Sequence, residues 1–176
     1  MFKKILLLLL VIIVAFVGYV ALQPDEYRVE RTVTMAAPAA NVFENVNDLR
    51  KWEAWSPWAK LDPEAKVIFE GPEAGNGAAM TWDGDDKVGA GKMTIVKSDP
   101  DQAINIDVTF TRPFEGTTNS DFTFATKGDS TDVTWAMHGT QGFTEKAFSV
   151  IFGGVGMMGN NIDKGLSQLK SVVEQS

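Results

Sequence analysis

The chain has 176 residues, room for one ordinary domain and a terminal segment, and its 16 basic and 23 acidic residues give a formal charge of −7. This balance, without any Lys/Arg cluster, excludes nucleic acid as a partner, because phosphate binding depends on such clusters. With no cysteine and a single histidine, the chain can form no disulfide bond and no zinc site of the usual ligand types.

An unbroken apolar run extends from Ile5 to Leu22, directly after Lys3 and Lys4. As a helix it reaches about 27 Å at about 1.5 Å per residue, close to the hydrocarbon thickness of a thin bilayer. The preceding lysines and the acidic residues just after the run favour a cytoplasmic N-terminus. We therefore predict a transmembrane anchor over residues 1–22 of a single-pass membrane protein whose domain is extracytoplasmic, in the periplasm.

A cleaved secretory signal is the alternative for this segment. The plausible cut, after Ala21, would place bulky Tyr19 where a small residue is preferred, so a retained anchor is favoured. A short linker, residues 23–26, then leads to one predicted domain over residues 27–176. Downstream of the anchor 14 basic residues remain against 23 acidic ones, a formal charge of −9.

The domain begins with a predicted strand, because YRVERTVTM alternates with period two and is rich in β-branched residues. Two short helices are predicted within APAANVFENVNDLRKWEAW, and Pro57 should end the second, since proline disfavours helical geometry in the residue before it. Trp52, Trp55 and Trp58 fall here at intervals of three. They form either an aromatic gate at a cavity or membrane, or a hydrophobic plug that joins the helices to a sheet.

About six further strands are predicted over residues 66–141, separated by turn sequences such as GNG, DGDD and DPD. Each has one apolar and one polar face, which is typical of an antiparallel sheet with one face in water. A long helix, loosened by glycines in its first half, is predicted over residues 143–175 and should cover the apolar face. Its apolar residues recur at helical spacing: Ile162, Leu166, Leu169 and Val173.

Large and adaptable side chains predominate on the apolar face of these strands. Methionine and aromatic residues can line a pocket for apolar ligands, and they can equally fill a core. The predicted cavity lining consists of Trp55, Met80, Trp82, Met93, Ile106, Val108, Phe110, Phe122, Phe124, Trp135 and Met137.

The order of elements resembles the START-like helix-grip superfamily (SRPBCC), in particular its polyketide cyclase/dehydrase-like branch. The stretches that carry the resemblance are RTVTMAAPAANVFENVNDLRKWEAWSPW, GPEAGNGAAMTW, GAGKMTIVKSDP, VTWAMHG and KGLSQLK. The resemblance implies an α+β helix-grip fold, in which a curved antiparallel sheet of about seven strands (β-α-α-β6-α) wraps on the C-terminal helix and leaves an apolar cavity between them.

Signatures of catalysis are missing from the sequence. Neither HExxH nor GxSxG occurs, and the DGDD turn lacks the spacing of a calcium loop. His138 falls on the polar phase, opposite Trp135 and Met137, and should face solvent. We therefore predict no catalytic residue, no metal site and no cofactor.

Three functional hypotheses follow. The leading one is a membrane-tethered module that binds a hydrophobic small molecule or lipid. The alternatives are a polyketide cyclase/dehydrase-like enzyme acting on a bound apolar substrate, and a protein-interaction domain whose cavity is fully packed.

Overall fold

Seven antiparallel strands form one curved sheet in the computed structural model, which describes residues 2–175. The strands are β1 (Glu26–Met35), β2 (Lys66–Glu70), β3 (Ala79–Asp83), β4 (Ala90–Asp99), β5 (Ala103–Arg112), β6 (Gly116–Lys127) and β7 (Ser130–Thr140). Their order in the sheet is β1-β7-β6-β5-β4-β3-β2. Strands β2 to β7 are therefore successive hairpin neighbours, and β1 pairs with the last of them. The predicted antiparallel α+β sheet is confirmed.

The helices occupy the predicted regions, with one difference at the C-terminus. They are α1 (Phe2–Ala21), α2 (Ala39–Asn47), a 3₁₀ turn (Leu49–Lys51), α3 (Trp52–Trp55), α4 (Phe143–Phe152) and α5 (Gly154–Val173). Helix α3 ends two residues before Pro57, as expected. The predicted single C-terminal helix is instead two helices, because Gly153 adopts a left-handed conformation with φ 70° and ψ 38°. Glycine adopts this conformation at no steric cost, and it commonly ends helices.

Helix α5 packs against β1 and the short helices and closes one half of the interior. The four residues predicted from helical spacing, Ile162, Leu166, Leu169 and Val173, are all buried. The close approach depends on Gly165, since a Cβ there would lie 2.5 Å from a ring carbon of Trp135 and 3.2 Å from Cδ of Pro57. At the far end of α5, Glu174 accepts a hydrogen bond of 2.6 Å from the backbone N–H of Ala36.

Two of the three tryptophans form a plug between the short helices and the sheet. Trp52 and Trp55 are buried, and their indole N–H groups donate to the carbonyl oxygens of Val46 and Asn45 at 2.9 and 3.0 Å. Buried indoles normally need such partners. Trp58 is only partly buried, because it lies beyond the proline that ends α3. The plug hypothesis therefore describes the first two indoles and not the third.

The outer face of the sheet is polar. Asp121 accepts hydrogen bonds from Asn105 Nδ2 and lies beside His138 Nε2, each at 2.8 Å. Hydrogen bonds from Lys127 and Thr34 lower the pKa of Asp132, also on this face. The alternating residues of the strands thus form one face exposed to solvent and one buried face, as the sequence predicted.

Helix α1 is long and apolar enough to cross a membrane, and a signal sequence has the same features. Most of its side chains are exposed, including Ile5, whereas Val20 near its C-terminal end is fully buried. Leu22 follows the helix and is 86% exposed. The buried end of α1 contacts α4.

Gly165→Ala should lower the free energy of unfolding by about 1–3 kcal/mol, because the added methyl group would overpack against Trp135. Gly156→Ala in the same helix is the control, since a Cβ there has no atom within 4 Å, and it should leave stability unchanged or raise it by up to about 1 kcal/mol. Urea denaturation of the full chain in detergent micelles measures both. Equal effects would contradict the packing described for α5.

Trp55→Ala should lower the free energy of unfolding by about 3–5 kcal/mol, as for truncation of a buried aromatic. Trp58→Ala should cost clearly less, because that side chain already contacts solvent. The same urea titration compares them. A larger loss for Trp58→Ala would show that the plug has been assigned to the wrong indoles.

Candidate functional site

A cavity of about 730 Å³ lies over the inner face of the sheet, beside the closed half. Its walls come from β2 to β7, the 3₁₀ turn, α3, the segment that joins α3 to β2, and the turn between β3 and β4. The predicted position was between the sheet and the C-terminal helix. Among the described residues of that C-terminal region, Phe148 of α4 alone lines the cavity, while α5 covers the closed half.

Seven of the predicted lining residues lie on the cavity wall: Met80, Trp82, Met93, Val108, Phe110, Trp135 and Met137. The other four, Trp55, Ile106, Phe122 and Phe124, are buried in the packed core and are absent from the wall. They are separated from the cavity because helices α2 and α3 pack over this part of the sheet. Phe124 meets Phe43 of α2 at 5.6 Å, and Phe122 meets both plug indoles at 6.0 and 6.2 Å.

Trp82 lines the cavity from strand β3. It pairs with Gly91 across the β3–β4 ladder, where a Cβ would lie 2.6 Å from the indole ring. Its ring meets Phe110 edge to face at 5.7 Å, and its N–H donates to the carbonyl of Val88 at 3.2 Å. The indole is therefore held flat against the sheet and presents an apolar surface to the cavity.

Charged side chains lie at the mouth of the cavity. Of the six on its lining, Arg50, Glu53, Asp86, Lys87 and Arg112 are exposed and Asp62 is half-buried. Several of them hold loops in place. Arg112 pairs with Asp83 and donates to the carbonyl of Gly84 at 2.9 Å, and Asp62 accepts from the backbone N–H of Asp85 at 2.7 Å.

Few polar side chains line the buried part of the cavity. Ser120 is buried, and its hydroxyl accepts a hydrogen bond of 2.8 Å from the indole N–H of Trp135. Ser56 is the other buried serine on the lining. Within residues 2–175, no group of three or more His, Asp or Glu side chains could hold a metal ion. His138 lies on the outer face, as the alternation predicted, beside Asp121 at 2.8 Å.

The sequence interpretation missed several lining residues, including Val67, Phe69, Trp58 and Phe148. Val67 and Phe69 alternate in KVIFE, so the same period-two argument could have included them. Phe148 carries no such signal, because its position depends on the contact of α4 with the β5–β6 turn, where its ring meets that of Phe114.

Comparison with known proteins supports the fold. No curated protein sequence matches the chain. Several solved structures are similar at low identity. The Zhui aromatase/cyclase from Streptomyces sp. R1128 is 20% identical with a TM-score of 0.57, over 85% of this chain and 94% of that one.

Two further structures have a similar fold. A protein from Arthrobacter aurescens is 16% identical with a TM-score of 0.61, over 85% of this chain and 87% of its own. The Aha1 dimer from Colwellia psychrerythraea gives 14% identity and a TM-score of 0.60, over 84% of this chain and 96% of its own. At these identities the likeness concerns the fold. The family model for polyketide cyclase/dehydrase and lipid transport proteins matches residues 26–174, and the chain therefore belongs to that family.

Proposed function

We propose that this protein is a membrane-tethered module that binds a hydrophobic small molecule or lipid in its inner cavity. The observation that carries the proposal is the cavity itself: about 730 Å³, apolar in its depth and charged at its mouth. Ligand pockets typically have volumes of about 300–1,000 Å³ and mostly apolar walls. The family description, which includes lipid transport, is consistent with this assignment.

Binding would rest on desolvation of the ligand. Removal of apolar surface from water contributes about 25 cal/mol per Å², offset by the cost of immobilising the ligand. The half-buried thioethers of Met80 and Met93, which face each other across β3 and β4, can adapt to ligands of different shape. The exposed charges at the mouth would remain in water beside a polar end of the ligand.

Tethering would come from α1, retained as a single transmembrane helix. Lys3 and Lys4 in its first turn favour a cytoplasmic N-terminus, and the binding domain would then lie outside the cytoplasmic membrane, in the periplasm. Cleavage as a secretory signal is the competing fate of this helix. Detection of the N-terminal peptide in protein extracted from membranes distinguishes the two.

An enzyme of cyclase or dehydrase type is the second candidate, favoured by the family description. Acid or base catalysis requires an ionisable side chain within hydrogen-bond reach of the substrate. The ionisable residues of the lining lie at the mouth, and buried Ser120 accepts from Trp135. The third hypothesis, a packed interaction domain, requires a filled interior and is disfavoured by the cavity.

Native mass spectrometry tests the binding proposal on the full chain, extracted from its own membrane in a mild detergent. We expect a discrete additional mass that disappears after organic extraction, because a buried apolar ligand should survive gentle purification. A clean apo mass, together with no uptake of an apolar fluorescent dye, would refute the proposal.

A pair of double variants locates the binding site. M80W/M93W fills the cavity from two facing positions and should weaken dye binding about tenfold or more, equivalent to about 1.4 kcal/mol. I68W/V96W adds the same two indoles at exposed positions outside the cavity lining, on β2 and β4, the strands that flank β3, and should leave binding unchanged. A dye titration in detergent measures both. Equal affinities would place the dye elsewhere.

A further inference from the structure

We propose that α4 and the β5–β6 turn lie in the interfacial layer of the membrane that holds α1, and that they form the portal through which a membrane lipid enters the cavity. This inference rests on the proposed function and adds the surface and the route that the ligand would use.

The first observation is an exposed apolar surface, here called the α4 patch. Its six residues are each between 40% and 60% exposed: Phe114, Phe148, Ile151, Phe152, Val155 and Met157. The three aromatic residues are in contact, because the ring of Phe148 lies 5.9 Å from that of Phe114 and 4.6 Å from that of Phe152. The three aliphatic and methionine residues lie within five positions of Phe152 in the chain. Exposed apolar clusters of this kind mark interaction sites.

The second observation is the charge of this region. Residues 143–158 carry one acidic and one basic side chain, Glu145 and Lys146, in a chain whose part beyond the anchor has a formal charge of −9. Lys146 is buried and paired with Asp25. A domain that an anionic bilayer would repel over most of its surface therefore presents to it one nearly neutral, apolar helical segment, while Asp85, Asp86 and Glu115 of the neighbouring turns are exposed to water.

The third observation is the way the linker is bound. Lys146 Nζ donates to the carbonyl of Gln23 at 3.1 Å and to Asp25 Oδ1 at 2.6 Å. Gln141 donates from its backbone N–H to the carbonyl of Asp25 at 2.7 Å, and from its side chain to that of Pro24 at 3.2 Å. These bonds hold the segment that leaves α1 against the start of α4. The helix is thereby fixed where the chain leaves the bilayer.

The strand register places the cavity mouth at the same end. Glu26, the first residue of β1, pairs with Thr140, the last of β7. Asp83 pairs with Ala90, and Ala90 with Arg112, so the β3–β4 and β5–β6 turns lie at this end of the sheet. Two residues of this end, Pro113 and Phe148, line the cavity. The patch and the mouth are therefore adjacent.

The bilayer fits this surface better than a second copy of the chain does. The exposed apolar side chains of α1 continue towards the patch, because the buried end of α1 contacts α4. A membrane that surrounds α1 lies beside the patch in every molecule, without any further partner. The exposed apolar side chains of α4, among them Phe148, Ile151 and Phe152, are of the kind that interfacial helices bury at the boundary of headgroups and acyl chains.

Nitroxide quenching tests the position of the patch. Because the sequence contains no cysteine, a single introduced cysteine is the only site that a thiol-reactive label can modify. The full-length variants I151C and V96C carry a bimane fluorophore in phosphatidylcholine vesicles that contain lipid labelled with nitroxide near the headgroup. We expect strong quenching at position 151 and little at position 96, which is exposed on β4 away from the patch. Equal quenching at both positions, or disulfide cross-linking of I151C between copies without quenching, would overturn the proposal.

The variant I151E/F152E tests the route. Both side chains are more than half exposed and lie outside the cavity lining, so dye affinity in detergent should be unchanged. The rate of dye transfer from phosphatidylcholine vesicles to the cavity should fall by about tenfold or more, because two apolar anchors are lost. Unchanged transfer would overturn the portal. Wild-type protein that binds no dye in detergent would instead refute the proposed function, and the quenching result would still stand on its own.

Discussion

Trp135 packs among four other aromatic side chains, and these contacts separate the closed half of the interior from the open half. Its indole stacks on Phe122 with centroids 4.8 Å apart and meets Trp52, Trp55 and Trp58 edge to face at 5.8 to 6.2 Å. Helix α5 reaches this cluster because Gly165 leaves room for the indole. One side of Trp135 therefore belongs to the packed core, and the other forms part of the cavity wall.

This packing determines which polar groups of the cavity wall are available to a ligand. The indole N–H groups of Trp52, Trp55 and Trp135 all donate hydrogen bonds within the protein, so these three offer no free donor to a ligand. The charged side chains of the lining are kept near water at the mouth. Such a site would bind by desolvation and shape, which suits a hydrophobic ligand with a polar end better than a reaction that needs a proton donor.

The junction between α1 and the domain fixes the orientation of the domain, and with it the cavity, relative to α1. A linker of four residues would by itself allow the domain to rotate freely within its reach. The bonds from Lys146 and Gln141 to residues 23–25 remove much of that freedom. A buried lysine is costly unless it is paired, so its position 121 residues from Asp25 in the chain indicates that this geometry is specified by the fold.

The sequence by itself determined the elements: the apolar run, the alternating strands, the stop before Pro57, the helical spacing of α5 and the outward position of His138. These are local properties, because period and turn chemistry are read within a few residues. Alternation also identified the inner face, including Met80 and Trp135, but it could not separate cavity wall from core. That division depends on which distant helix covers each residue. Phe122 and Phe124 lie under α2 and α3, whereas Val108 and Phe110 line the cavity. Phe148 lines it beside Phe114 of the β5–β6 turn. Only the tertiary structure decided these positions, because they depend on packing between segments that are far apart in the chain.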